Sequence, residues 1–241
     1  VLLLISGLGG HASFWSQHRK RLAERFTVLS FDQRGMGDNR EVSGRHTLDE
    51  IVNDAIAILD DAEVAQASIL GHSMGGVITQ CLVLDHPSRV RSAVFSGTFC
   101  AFDWYMTAVA DLRQNILDTA GSATYGQISA LLAMPGANVL DPNYDLKSRL
   151  RSEPRAADFV MQQRQKAPYG FDRRDELRNV AVPSLVIGAT DDLLAPPYQS
   201  RNIAELILGA RLELMDGGHF FPVTRPEVYF EIVGSFLTGK L

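Results

Sequence analysis

Short apolar runs recur along the chain, and stretches with helical periodicity separate most of them. The runs are Val1–Ile5, Thr27–Phe31, Ala67–Gly71, Arg91–Ser96, Val182–Gly188 and Arg211–Met215. They are short, and rich in leucine or β-branched residues, as strands buried on both faces are. Between them, Thr47–Asp61 is the clearest helix. Thr47 and Glu50 form a capping-box pattern, and Leu48, Ile51, Val52, Ala55, Ile56 and Leu59 follow at helical spacing. Ser73–Asp85 is a second helix, ended by His86-Pro87. The last opens on another capping-box pattern, Thr224 and Glu227, with Val228, Ile232, Val233, Phe236 and Leu237 as its apolar face. Alternating strands and helices predict an α/β chain: a mostly parallel sheet with right-handed crossovers and helices on both faces.

The alternation stops after Gly97 and resumes near residue 181. That interval reads as helices alone: Asp103–Thr119, Ser122–Met134, Asp141–Arg151 and Pro154–Lys166. The expected organisation is therefore a core of residues 1–97 and 181–241 with a helical cap inserted over residues 98–180. Insertions at the carboxyl edge of such sheets are where selectivity is carried.

Composition narrows the options further. The 241 residues are 46% apolar, too many for a disordered chain. A net charge of −5 without a basic block argues against nucleic acid as partner. No apolar run approaches the roughly 18 residues of a membrane span. Cys81 and Cys100 are the only cysteines, so a reduced, cytoplasmic chain is expected. The six histidines show no HxH or HExxH spacing, and no metal site is expected.

The chemistry gathers at Gly71-His72-Ser73-Met74-Gly75, a G-x-S-x-G sequence that closes an apolar strand and opens a helix. Such a turn is too tight for a side chain at either glycine, and it holds the serine exposed above a helix N-terminus. A serine hydroxyl needs a base and an orienting acid to act as a nucleophile at neutral pH. His219 follows the strand Arg211–Met215, and Asp191-Asp192 follows Val182–Gly188, so all three would meet at one edge of the sheet. An oxyanion needs two backbone N–H donors. Met74, after the nucleophile, supplies one, and Leu8, in the loop Ser6-Gly7-Leu8-Gly9-Gly10, the other. Gly7 and Gly9 let that backbone approach a substrate. Phe99, Phe102, Trp104, Tyr105 and Met106 cluster where the insertion begins; they could line an apolar pocket, with Phe99, Trp104 and Tyr105 as expected substrate-binding residues, or equally pack the cap on the body.

These pieces together resemble the α/β-hydrolase family of cofactor-free serine hydrolases, over nearly the whole chain except the cap. The wording of Ser6-Gly7-Leu8-Gly9-Gly10, Asp32-Gln33-Arg34-Gly35-Met36-Gly37 with Asn39, and Asp191 to Pro196 is similar to that of 3-oxoadipate enol-lactonases and aminoacrylate hydrolases. The resemblance implies a Ser73–His219–Asp192 triad, no metal or organic cofactor, and a small-molecule substrate. The family's acid lies four residues before a proline. Asp192 stands so to Pro196, which leaves Asp191 to cap the following turn. Two departures are Ser6, where many members carry histidine, and a start at Val1 without the family's first pair of strands. By resemblance Val1 is expected to open the third strand, and the chain is expected to be a little shorter than the working protein. The expected reaction is hydrolysis of a small carboxylic ester, lactone or related acyl compound. The same triad also serves carbon–carbon bond hydrolases of meta-cleavage type and slow-turnover small-molecule receptors.

Other residues are expected to be structural. His72 should pack, while His11 and His18 should lie at the surface. Asp32 and Arg34 should order their loop, bound to each other. The stretch Lys147–Arg178, with nine basic and five acidic residues, is expected to be a solvated face, although its charge could steer a carboxylated substrate. The sequence carries no signal for oligomeric state.

Overall fold

A computed structural model of the protein describes residues 1–41, 44–151 and 156–239. Its strands are β1 (Leu2–Ile5), β2 (Val28–Ser30), β3 (Ala67–His72), β4 (Val90–Ser96), β5 (Ser184–Ala189) and β6 (Arg211–Met215). They pair in parallel throughout, in the order β2-β1-β3-β4-β5-β6. The helices are α1 (Ser16–Leu22), α2 (Leu48–Asp61), α3 (Met74–Asp85), α4 (Trp104–Ala133), α5 (Leu146–Arg149), α6 (Asp158–Lys166), α7 (Arg174–Leu177), α8 (Pro197–Leu206), α9 (Phe221–Thr224) and α10 (Pro226–Thr238).

The two-residue period of a strand sends alternate side chains to opposite faces. On β1, Leu3 and Ile5 join a core with α2, α3 and α8, through Ile51, Val77 and Ile203. Leu2 and Leu4 join a second core with α1 and α10, through Leu22, Tyr229 and Val233. The central strands β1 and β3 are buried along their whole length, Ser68 and His72 of β3 included. Among the described residues no helix is long and apolar enough to cross a membrane.

Two helix starts differ from expectation. Thr47 accepts the Glu50 amide at 3.3 Å, but the Glu50 carboxylate pairs with Arg34 instead of returning to Thr47. Thr224 caps nothing: its hydroxyl donates to the Gly217 carbonyl at 2.9 Å, and α10 begins at Pro226. On α10 Tyr229 is buried, and Val228, expected on the apolar face, is exposed to solvent.

Between β4 and β5 the described residues form helices, joined by one isolated bridge between Ala101 and Asp172. Gly121, at φ 77° and ψ 174°, breaks α4. Arg113 bonds the side chains of Tyr125 and Ser129, which a straight helix at 1.5 Å per residue would carry about 18–24 Å away, so the two halves fold side by side. The expected helix 141–151 contracts to α5, and α6 starts at Asp158. Pro154, the expected start of that helix, lies outside the described residues, as do Glu153 and Arg155 of the basic stretch.

Candidate active site

Ser73 stands between β3 and α3 at φ 57° and ψ −121°, a left-handed conformation that costs a non-glycine residue of order 1–3 kcal/mol. Its neighbours enforce the turn. A Cβ on Gly71 would lie 2.1 Å from the Gly75 carbonyl oxygen, and a Cβ on Gly75 would lie 2.2 Å from that of Ile5. The Ser73 amide is tied to the Ser96 carbonyl of β4 at 2.8 Å.

His219 Nε2 lies 3.0 Å from Ser73 Oγ, and its Nδ1 lies 2.7 Å from Asp192 Oδ2. The carboxylate can only accept, so Nδ1 carries the proton and Nε2 is left to accept from the serine hydroxyl. The Asp192 side chain is fully buried, and its Oδ1 accepts the amides of Leu194 and Ala195 at 2.8 and 2.9 Å. Asp192, not Asp191, therefore caps the following turn. Asp191 instead fastens the histidine loop: it accepts the Gly218 amide at 2.9 Å and the Asn138 side-chain amide at 2.6 Å.

Gly7 lies against the serine, and a Cβ there would sit 3.0 Å from Ser73 Cβ. The Leu8 amide meets no acceptor among the described residues. Met74, the first residue of α3, has no intrahelical acceptor for its own amide. Neither amide therefore has an acceptor among the described residues.

A cavity of about 260 Å³ opens over Ser73 and His219. Leu8, Phe99, Phe102 and Met106 form apolar walls, and Gly7 and Gly9 line its floor. Arg113 and Arg149 line it too, whereas no aspartate or glutamate does among the described residues. Among those residues no cluster of three or more His, Cys, Asp or Glu could hold a metal ion.

A family model described as "alpha/beta hydrolase fold" matches residues 1–226. The chain belongs to the α/β-hydrolase fold family. Among its relatives, the "Putative carbamate hydrolase RutD" of Caulobacter sp. (strain K31) is 32% identical over 248 residues, covering 100% of this chain and 91% of the relative. The protein of the same name in Azorhizobium caulinodans is 31% identical, covering 98% and 90%. Among solved structures, the enol-lactonase from Burkholderia xenovorans LB400 superposes with a TM-score of 0.89 at 25% identity, over 98% of this chain and 90% of that one.

In this α/β-hydrolase, two expected pocket residues lie elsewhere. Trp104 is 81% exposed, and Tyr105 turns its hydroxyl to the Leu193 carbonyl at 2.9 Å; neither lines the cavity. Asp103 caps α4 by accepting the Met106 amide, which aims Met106, Ala110 and Arg113 inward. Trp104, two residues before Met106, lies about 200° round the helix from it. Phe99 does line the cavity. Asp32 and Arg34 both order loops, but not by pairing with each other: Asp32 accepts the amides of Ala12 and Asp38, and Arg34 grips Asp54 through two 2.6 Å bonds.

His72 packs as expected. It is stacked on Phe14, with Nδ1 3.1 Å from Ser96 Oγ. His18 does not lie at the surface: it is 2% exposed, and its Nε2 donates to the Pro222 carbonyl at 2.6 Å. Burial pushes the pKa of His72 well down and lowers that of His18. The unfolded chain therefore protonates these rings first, near pH 6.5, and their contribution to stability is complete above that pH and drains below it. The loss is at most about 1.4 kcal/mol per pH unit for each ring. Thermal melts at pH 7, 6 and 5 are expected to show a falling Tm, and His18→Gln should flatten the slope. A Tm independent of pH across this window would contradict the burial.

Proposed function

We propose that the protein is a serine hydrolase that cleaves a small carboxylic ester, lactone or related acyl compound through an acyl-enzyme. The observation that carries this reading is the unbroken hydrogen-bonded line Ser73 Oγ–His219 Nε2 and His219 Nδ1–Asp192 Oδ2 beneath a cavity. In this reading His219 takes the Ser73 proton as Oγ attacks the acyl carbon. Asp192 holds the histidine tautomer and stabilises the imidazolium. The amides of Leu8 and Met74 receive the oxyanion. The proton passes to the leaving group, and a water deprotonated by His219 then releases the acid. The names of the relatives, a carbamate hydrolase and an enol-lactonase, accord with attack at a small acyl carbon.

A fluorophosphonate probe tests the assignment. One equivalent should attach to Ser73 of the wild-type protein, and none to Ser73→Ala. Labelling at another residue would overturn it.

The cavity's charge favours an acyl compound that also carries a carboxylate. Gln165 Nε2 donates to the Ala110 carbonyl, which turns Gln165 Oε1 toward the Tyr125 hydroxyl. Tyr125 donates to it and so offers its lone pair to Arg113 Nη2 at 2.6 Å. Arg113 Nε donates to Ser129 at 3.1 Å, and Arg113 forms no ion pair among the described residues. Its remaining N–H groups form a fixed fork suited to an anion. Arg113→Met is expected to raise KM about tenfold or more for a hemi-ester of a dicarboxylic acid and to leave a neutral ester of equal length unaffected. Equal effects on both esters would refute the carboxylate preference.

A further inference from the structure

Arg164 lies on α6, inside the helical insertion, and is completely buried. A buried charge ordinarily has a counter-ion, because desolvation costs several kcal/mol. Arg164 has none among the described residues. Its hydrogen-bond partners are neutral oxygens: the Leu8 carbonyl 2.9 Å from Nε, Gln33 Oε1 2.7 Å from Nη2, and the Arg34 carbonyl 3.4 Å from Nη1. Burial pushes its pKa down to about 10, which leaves it a cation at neutral pH.

The acceptors show what the cation holds. Gln33, itself fully buried, passes the hold onward, donating from Nε2 to the Ser6 carbonyl at 2.7 Å. One guanidinium thus fixes the carbonyls of Ser6 and Leu8, on either side of Gly7. The Gly7 carbonyl is taken by the Gly10 amide at 2.9 Å, and the Gly10 carbonyl by the Gln33 amide at 2.8 Å. A trans peptide is planar, with N–H opposite C=O, so committing the Gly7 carbonyl sets the direction of the Leu8 N–H. The loop that must present that N–H is locked from outside by a side chain that never reaches the cavity.

We propose that Arg164 is a positioning residue: from the insertion it holds the Ser6–Gly10 loop in the conformation that lets the Leu8 amide receive the oxyanion. This extends the serine-hydrolase reading and rests on it. Docking of α6 and assembly of the oxyanion site become one event.

The test compares wild type, Arg164→Met and Arg164→Lys, each normalised by active-site titration, with p-nitrophenyl acetate as substrate and phenylboronic acid as tetrahedral mimic. Arg164→Met should lose about 100-fold in kcat, the scale of a lost oxyanion donor, with KM within about twofold of wild type. Inhibition by phenylboronic acid should weaken by a similar factor. Arg164→Lys, able to reach one acceptor but not to bridge two, should fall between. A kcat and a boronate affinity equal to wild type, with only Tm reduced, would make Arg164 purely structural and overturn the inference. If Arg164→Met does not fold, Arg164→Lys decides by the same pair of readouts. Wild-type protein that neither cleaves the ester nor binds the boronate would overturn the hydrolase reading itself, and this inference with it.

Discussion

Replacing Ser73 by alanine is expected to lower kcat on an ester substrate by five to six orders of magnitude, roughly the loss on removing a triad serine from a protease. The fold should not register the change. Alanine keeps the Cβ that the φ 57° conformation already tolerates, and the hydroxyl's sole protein partner among the described residues is His219 Nε2. A change within about 0.5 kcal/mol corresponds to a Tm shift of roughly 2 °C or less for a chain of this size. A slow residual rate over water should survive, because the oxyanion donors and the cavity remain. Stopped turnover with an unmoved melting curve is the signature of lost chemistry. Turnover near the wild-type rate would remove Ser73 from the mechanism.

The adjacent aspartates provide the second large effect. Asp192→Asn is expected to cost about 10⁴-fold in kcat. Asp192 Oδ1 accepts two backbone amides, so an asparagine must aim its oxygen there and its NH₂ at His219. Nδ1 would then have to accept, and Nε2 would carry a proton pointing at Ser73, the wrong tautomer for a base. Asp191→Asn should behave differently. Its oxygen can still accept the Gly218 amide, but its NH₂ would face the NH₂ of Asn138. That mismatch should cost about 1–3 kcal/mol in stability and less than about tenfold in kcat. Circular-dichroism melts and steady-state kinetics on the pair separate the two roles. A larger kinetic loss for Asp191→Asn would exchange the assignments.

Much of this architecture was legible in the sequence because it obeys local rules. Short runs rich in apolar residues read as strands, and all six appear within two residues of their expected limits, although β2 and β6, at the sheet edges, are only half-buried. Ser73, Asp192 and His219 were legible because each follows a strand end, and parallel strands bring those ends to one edge. Failures came where distant partners decide. Thr224 has capping-box spacing, yet the Gly217 carbonyl claims its hydroxyl. Trp104 was placed by composition, whereas its position on α4 turns it outward. Arg164 was counted with the basic residues of a solvated face, although its partner Gln33 is 131 residues away in sequence. One signal was available: Val160, Met161, Arg164 and Gln165 share a helical stripe, and all four are buried. Gln33 lies in the Asp32–Gly37 motif, but nothing local indicates that it links Ser6 to α6.

The junction between the insertion and the histidine loop carries a consequence for engineering and for descent. The His219 amide donates to the Ala133 carbonyl at the end of α4 at 2.8 Å, and a Cβ on Gly218 would lie 2.4 Å from that oxygen. Asn138, a few residues on, holds Asp191. The insertion is therefore no interchangeable part. A chimera given another protein's segment between β4 and β5 would gain new cavity walls and lose the carbonyl against which the histidine turn rests. Grafts that retain the backbone around residue 133 and an amide donor at 138 should tolerate new walls far better than grafts that replace the whole segment. Drift in substrate preference would, by the same logic, travel through the wall positions while these two stay anchored.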